Sequence, residues 1–228
     1  MPSLSTGNVG QLALDLMIET LGIPRVGYLE SQYLIPVIGN DVFSGGKGVL
    51  ATSLEVYYHA PKSLYLIQQR SPVKAGKGSQ FSNDICEWIL QAGFKEVIYL
   101  HSLDAGQRFI DQQFSGIQLR YIKTDNFDDQ LIEKELKWPK MESGSNLVEA
   151  IPPGTLSHSF VAASKKVGLP LLVLILFCFE GNNIPEGSQM AETLNQLLHI
   201  KPPEKPWQAP PSWQMLFSEG QYDQNLFL

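Results

Sequence analysis

The sequence predicts an α/β fold: a single layered domain with a mostly parallel central sheet flanked by helices, followed by a proline-rich C-terminal extension. Three observations predict it. Strand-like and helix-like segments alternate along the first 200 residues, the order that builds helix-flanked sheets. Residues 170–179 are apolar at nearly every position, as a strand covered on both faces must be. After Ile200 the chain turns to Lys-Pro-Pro-Glu-Lys-Pro and Ala-Pro-Pro, which can propagate neither a helix nor a central strand. The division is therefore 1–200 for the domain and 201–228 for the extension.

The elements follow in order. Val9, Leu12, Ala13, Leu16, Met17 and Leu21 recur at helical spacing with Gln11, Asp15 and Glu19 between them, and Gly22 and Pro24 stop the helix. Residues 26–29 read as a strand, and residues 34–41, apolar but broken by Pro36, as an extended segment feeding a glycine-rich loop at 43–47. Strands at 54–59 and 64–69, separated by Ala60-Pro61-Lys62-Ser63, have hairpin spacing. A polar turn at 71–78 leads to a helix over 79–92 with Phe81, Ile85, Trp88 and Ile89 as its apolar face and Gly93 as its stop. Short strands are expected at 97–100 and 117–122, with polar chain over 102–113 between them, then an amphipathic helix at 127–136. A polar loop at 139–153 precedes a helix over 156–167 capped by Gly168. The buried strand at 170–179 turns at Glu180-Gly181-Asn182-Asn183 into a helix that starts near Pro185 and runs to about His199. In the extension, Trp207 and Trp213 suit a chain draped over the domain, and Ser212 is placed to cap a short helix at 213–217.

Composition excludes several classes of function. A net charge of −6 with no lysine- or arginine-rich block gives nucleic acid no basic face to bind. The two cysteines, Cys86 and Cys178, lie far apart in apolar surroundings and read as buried thiols in a reducing compartment, not as a disulfide framework or metal site. The longest apolar run is too short for a membrane span, and no secretory signal pattern opens the chain. A soluble intracellular protein is expected, with no membrane partner.

The stretch Ser5-Thr6-Gly7-Asn8-Val9-Gly10 is one residue away from the dinucleotide fingerprint G-x-G-x-x-G, and Glu30 stands where the acidic ribose ligand would follow. Ser5, however, replaces the glycine of the tight turn, and only four residues precede it. The competing assignment is that Gly7 and Gly10 permit a turn and close helix packing. Nucleotide or nucleoside binding by the Gly7–Gly10 loop is the alternative function. Gly46-Lys47-Gly48 and Gly76-Lys77-Gly78 lack both the first glycine and the Ser or Thr of a phosphate loop. His59, His101, His158 and His199 form no ligand pattern, and no G-x-S-x-G elbow accompanies Ser157-His158-Ser159. No catalytic constellation, cofactor or metal is expected.

Several segments in order along the chain carry a family resemblance. They are residues 5–16, Val26-Gly27-Tyr28, Ile35-Pro36-Val37-Ile38-Gly39-Asn40, Leu54-Glu55-Val56-Tyr57, Gln69-Arg70-Ser71, Glu180-Gly181-Asn182-Asn183-Ile184-Pro185 and Pro211-Ser212-Trp213 with its four following residues. Together they resemble the proteasome assembly chaperone family. The resemblance implies a non-enzymatic protein of nucleoside phosphorylase-like architecture and a heterodimer with proteasome assembly chaperone 1. It implies action on the α-subunits of the 20S proteasome, in cytoplasm and nucleus, promoting α-ring formation and preventing off-pathway α-ring dimers. It also gives the C-terminus a role. Proteasome-binding tails of this kind end in a hydrophobic-tyrosine-any pattern that enters pockets between α-subunits. Leu226, Phe227 and Leu228 match it with Phe in place of Tyr. The family's strand ahead of the S-x-G-N-V-G turn is longer than Met1–Leu4, so one sheet edge is expected to be open or differently paired.

Overall fold

The structure is a computed structural model and describes residues 1–2, 4–43, 49–107, 118–141 and 151–213. Its main elements, in chain order, are α1 (Val9–Leu21), β1 (Arg25–Tyr28), β2 (Ile38–Asn40), β3 (Leu50–Thr52), β4 (Leu54–His59), β5 (Leu64–Gln69), α2 (Gly78–Gln91), β6 (Val97–Asp104), β7 (Leu119–Lys123), α3 (Leu156–Val167), β8 (Leu171–Cys178) and α4 (Ile184–Leu198). Gly22 closes α1 in the left-handed region (φ 61°), its N–H returning to the Glu19 and Ile18 carbonyls. Thr155 opens α3 by accepting the His158 N–H at 3.2 Å, and Gly168 (φ 70°) closes it.

Packing radiates from β8, buried at every position. Leu172, Leu174 and Leu176 face a core built with Val9, Ala13 and Met17 of α1 and Met190, Ala191 and Leu194 of α4. Val173, Ile175 and Phe177 face a second core built with Phe81, Ile85 and Ile89 of α2 and Phe160 of α3. There Tyr99 stacks on Phe160 with ring centroids 4.3 Å apart. Helices α1 and α4 approach so closely that a Cβ on Gly187 would stand 2.6 Å from Leu12 Cβ. The extension is draped on this side: Trp207 Nε1 donates to a Glu192 carboxylate oxygen at 3.1 Å, the Gln208 N–H donates to Thr20 Oγ1 at 2.8 Å, and Trp213 is buried in the first core.

The sheet differs from the expected mostly parallel one. Strand β8 pairs parallel with β6 and antiparallel with β7, while β1–β4–β5 and β2–β3 are antiparallel. Only the β6–β8 strand pair is parallel among the described residues. Connection length explains this. The four residues 60–63 between β4 and β5 allow only a hairpin, whereas the long excursion from β6 to β8 allows a crossover.

Three further boundaries depart from expectation. Strand β6 runs on to Asp104, because its polar residues are bonded internally: Ser102 Oγ donates to the Thr6 carbonyl at 2.5 Å and the Ser102 N–H donates to Ser5 Oγ at 3.1 Å. Strand β3 pairs with β2 without a sequence signal of its own. The helix expected over 127–136 contracts to a wide turn, Ile132–Leu136, where the Lys137 N–H reaches back to the Ile132 carbonyl. Asp128 there accepts the Gln130 N–H in a local turn that competes with helix, and Lys137 is left-handed (φ 51°). Most of the glycine-rich loop at 43–47, of the loop at 139–153 and of the short helix at 213–217, and half of the polar chain at 102–113, lies outside the described residues.

At the open side of β6, Pro2 bridges Leu100 in parallel. No helix among the described residues is long and apolar enough to cross a membrane.

Candidate functional site

Two features of the structure stand out: a buried charge network and, beside it, an exposed apolar face. The network begins on α1. Asp15 accepts from Gln68 Nε2 at 2.8 Å and pairs with Arg70 at 3.0 Å. Arg70 Nε also donates to Glu55 Oε2 at 2.7 Å, and Arg25 donates to Glu55 Oε1 at 2.6 Å. The Tyr57 hydroxyl donates to Glu55 Oε2 at 3.0 Å, and Asp41 stands 3.8 Å from Arg25. Glu55 is fully buried, so its charge is held by two guanidinium groups rather than by water. Burial pushes the Asp15 carboxyl above the ordinary range, against the pull of Arg70. The chain of contacts ties α1 to β5, β4, β1 and the residue after β2.

The apolar face lies at the far end of that chain of contacts. Val26 and Tyr28 of β1, Ile35, Val37, Ile38 of β2, Val49 and Leu50 of β3 are all exposed; Ile38 leaves 73% of its surface in solvent and Val26 54%. They form one neighbourhood. Strands β2 and β3 pair, with Ile38 opposite Thr52, and the Tyr28 hydroxyl donates to the Leu50 carbonyl at 3.4 Å. Ser53 Oγ donates to the Ile35 carbonyl and accepts the Val37 N–H, each at 3.0 Å. The Arg25 guanidinium lies 5.0 Å over the Tyr28 ring, so the network holds the face from beneath. Exposed apolar side chains gathered in this way make the region a candidate docking surface.

The Gly7–Gly10 loop has a different character. Gly7 (φ 62°) and Asn8 (φ 50°) are both left-handed. The Gly7 N–H points to Glu180 Oε1 at 3.4 Å, and a Cβ on Gly7 would stand 2.2 Å from Asn183 Nδ2. The amide that a phosphate would use therefore faces a carboxylate, in space that the turn after β8 fills. At Gly10 a Cβ would stand 2.9 Å from Pro2 and 3.0 Å from Leu100 Cβ, so this glycine serves close packing.

Other reactive groups are scattered. His101 Nδ1 lies 2.9 Å from Ser157 Oγ; both residues are buried, and burial lowers the His101 pKa to about 4. Cys86 and Cys178 are free, and burial pushes their thiols up to about 12 and about 11. No group of three metal-ligating side chains occurs among the described residues. Leu226, Phe227 and Leu228 lie outside the described residues.

Sequence reasoning named the segments of the network but not their convergence. Asp15, Glu55, Tyr57 and Arg70 each sit in a stretch that carried the family resemblance, and the two stretches at 5–16 and 180–185 meet at Gly7 and Asn183. A glutamate inside the apolar strand at 54–59 was the available signal, since such a charge must find a partner.

The PAC2 family model matches residues 1–205. Proteasome assembly chaperone 2 from Danio rerio is 36% identical, covering 96% of this chain and 91% of the relative. The Homo sapiens protein of the same name is 32% identical over the same shares. Among solved structures, Pyrococcus furiosus PbaA, an archaeal homolog of proteasome-assembly chaperone, superposes with a TM-score of 0.67 at 16% identity, covering 89% of this chain and 81% of that one. On the family match and the near-full-length relatives, the chain belongs to the PAC2 family.

Proposed function

We propose that the protein is an assembly chaperone for the 20S proteasome. It works as a heterodimer with proteasome assembly chaperone 1, promotes α-ring formation and prevents off-pathway α-ring dimers. The observation that carries this reading is likeness along almost the whole chain to relatives named proteasome assembly chaperone 2. The apolar face around β2 and β3 is the structural counterpart, offering the partner chaperone a surface that needs covering. The domain at 1–200 carries that face, and the extension at 201–228 delivers the tail.

In this reading Leu226, Phe227 and Leu228 enter a pocket between neighbouring α-subunits. Burying each such side chain is worth roughly 1.5–3 kcal/mol before ordering costs, and the Leu228 carboxylate can pair with a pocket lysine. A second tail from the partner would add avidity through effective concentration. The role requires no catalysis, and its work site is the cytoplasm and nucleus. The helix-flanked sheet is compatible with the nucleoside phosphorylase-like architecture that the resemblance implies. Glu180 and Asn183 at the Gly7 turn weigh against the nucleotide-binding alternative.

The test is capture of the tagged protein with its bound chains identified by mass spectrometry. Recovery of α-subunits together with the paralogous chaperone is expected. Labelled nucleosides binding tightly, with no α-subunit recovered, would overturn the reading.

A further inference from the structure

Strand β2 is an edge. Among the described residues it pairs with β3 alone, in a sheet of two strands. Bonds at alternate residues fix its inner side. The Val37 N–H donates to Ser53 Oγ, and the Ile35 carbonyl accepts from the same hydroxyl, each at 3.0 Å. On the facing strand, the Leu50 carbonyl accepts from the Tyr28 hydroxyl and the Thr52 N–H donates to Glu55 Oε1, each at 3.4 Å, so both groups turn away from β2. Gly39 and Ala51 are therefore the pair that bonds across the ladder. Antiparallel alternation then turns the N–H and C=O groups of Ile38 and Asn40 to the outer edge.

This edge is poorly defended against pairing. Residues 34–40, Leu-Ile-Pro-Val-Ile-Gly-Asn, carry no charge, whereas exposed edges are ordinarily blunted by charged side chains. Pro36 removes one donor at the start of the edge and leaves those of Ile38 and Asn40 in place. Ile38 leaves 73% of its surface in solvent and Val37 41%, so both faces of the segment are open as well as its edge. A sheet of two strands is marginal by itself, and a third strand is what makes such a sheet stable. Gly39 lies within the strand, and a Cβ there would meet nothing within 4 Å, so packing inside this chain does not call for glycine. Close approach of another backbone does.

We propose that the outer edge of β2 takes up a strand of the paralogous chaperone, so that one sheet runs through both chains. The inference rests on the chaperone reading and names how that partner docks. Free main-chain donors and acceptors at alternate residues select extended polypeptide. The uncharged edge around Ile38 selects a strand that is apolar where it flanks that side chain. The edge is continuous with the exposed β2–β3 face, so a single partner covers both. A pseudo-two-fold pairing of paralogous chains, the heterodimeric counterpart of an isologous dimer, sets the two edge strands antiparallel.

The test uses the full chain, alone and in its co-expressed complex with the paralogous chaperone. Amide hydrogen exchange at Ile38 and Asn40 is expected to slow at least tenfold in the complex. The variant N40P removes an outward N–H and leaves the apolar side chains in place, whereas N40A keeps that N–H. N40P is expected to weaken capture of the partner at least tenfold relative to N40A. A complex in which both amides exchange as fast as in the free chain, or one that N40P forms as well as N40A, would overturn the proposal and leave the chaperone reading standing. Failure to form any complex would remove both. Protection of these amides in the free chain that grows with its concentration would also overturn the proposal, in favour of a second copy as the occupant. The exchange measurement is made on the unaltered chain, so it decides even where N40P fails to fold.

Discussion

Replacing Glu55 by glutamine removes the charge on which Arg25 and Arg70 converge while nearly preserving the shape of the side chain. Removing one partner of a buried ion pair costs about 3–5 kcal/mol, because the remaining charge stays buried without compensation. Here each arginine keeps a second acid, Arg70 with Asp15 at 3.0 Å and Arg25 with Asp41 at 3.8 Å, so the lower end, about 3 kcal/mol, is expected. That is a large share of the roughly 5–15 kcal/mol that stabilises a domain. Urea unfolding followed by far-ultraviolet circular dichroism reads it directly. With slopes of about 1–3 kcal/mol per molar urea, the midpoint of E55Q falls by roughly 1–3 M. Adding R25M to E55Q should cost less than R25M alone, with a coupling of about 0.5–3 kcal/mol for groups in contact. A loss below about 1 kcal/mol for E55Q, or strict additivity with R25M, would refute the view that this network anchors the β1–β4–β5 sheet to α1.

Three other expectations follow from single sites. G187A should cost about 1–3 kcal/mol by overpacking α1 against α4, while G39A, which meets nothing within 4 Å, should change stability by less than about 0.5 kcal/mol; thermal melts of both decide. His101 has an ordinary pKa of 6.5, lowered to about 4 by burial. The unfolded chain therefore binds the proton first, so this residue's contribution is intact above pH 6.5, is lost as pH falls toward 4 and is level below that. The loss is about 3 kcal/mol, visible as a shallower acid slope in H101N than in the wild type. I38D alters an exposed side chain, so it should shift the unfolding midpoint by less than about 0.5 kcal/mol yet weaken capture of the partner chaperone at least tenfold; unchanged capture would remove the β2–β3 face as the docking surface.

The elements written most plainly in the sequence were those whose local signals and burial agree. Helix α3 ends on Gly168 and β8 is apolar throughout, and both stand where periodicity placed them. Strand direction was legible at the β4–β5 hairpin, where the short link dictates it, and not elsewhere, because alternation of strands and helices suggests crossovers without stating which strands become neighbours; the β7–β8 pairing is antiparallel. Segment 127–136 kept its helical spacing, but the Asp128 turn and left-handed Lys137 overrode it. The candidate face was hidden for another reason. Exposed Ile38 and buried Ile67 look alike as letters, and only tertiary structure separates an interface from a core. The charge network was half legible: the family-like segments named Asp15, Glu55 and Arg70, and folding brought them within hydrogen-bond distance.

The most direct measurement is native mass spectrometry of the full chain co-expressed with the paralogous chaperone and proteasome α-subunits. The proposed role predicts a complex that holds both chaperones on α-subunits, reduced at least tenfold when residues 226–228 are deleted while the chaperone pair itself persists. A full chain that pairs with no paralogue and retains no α-subunit would contradict it.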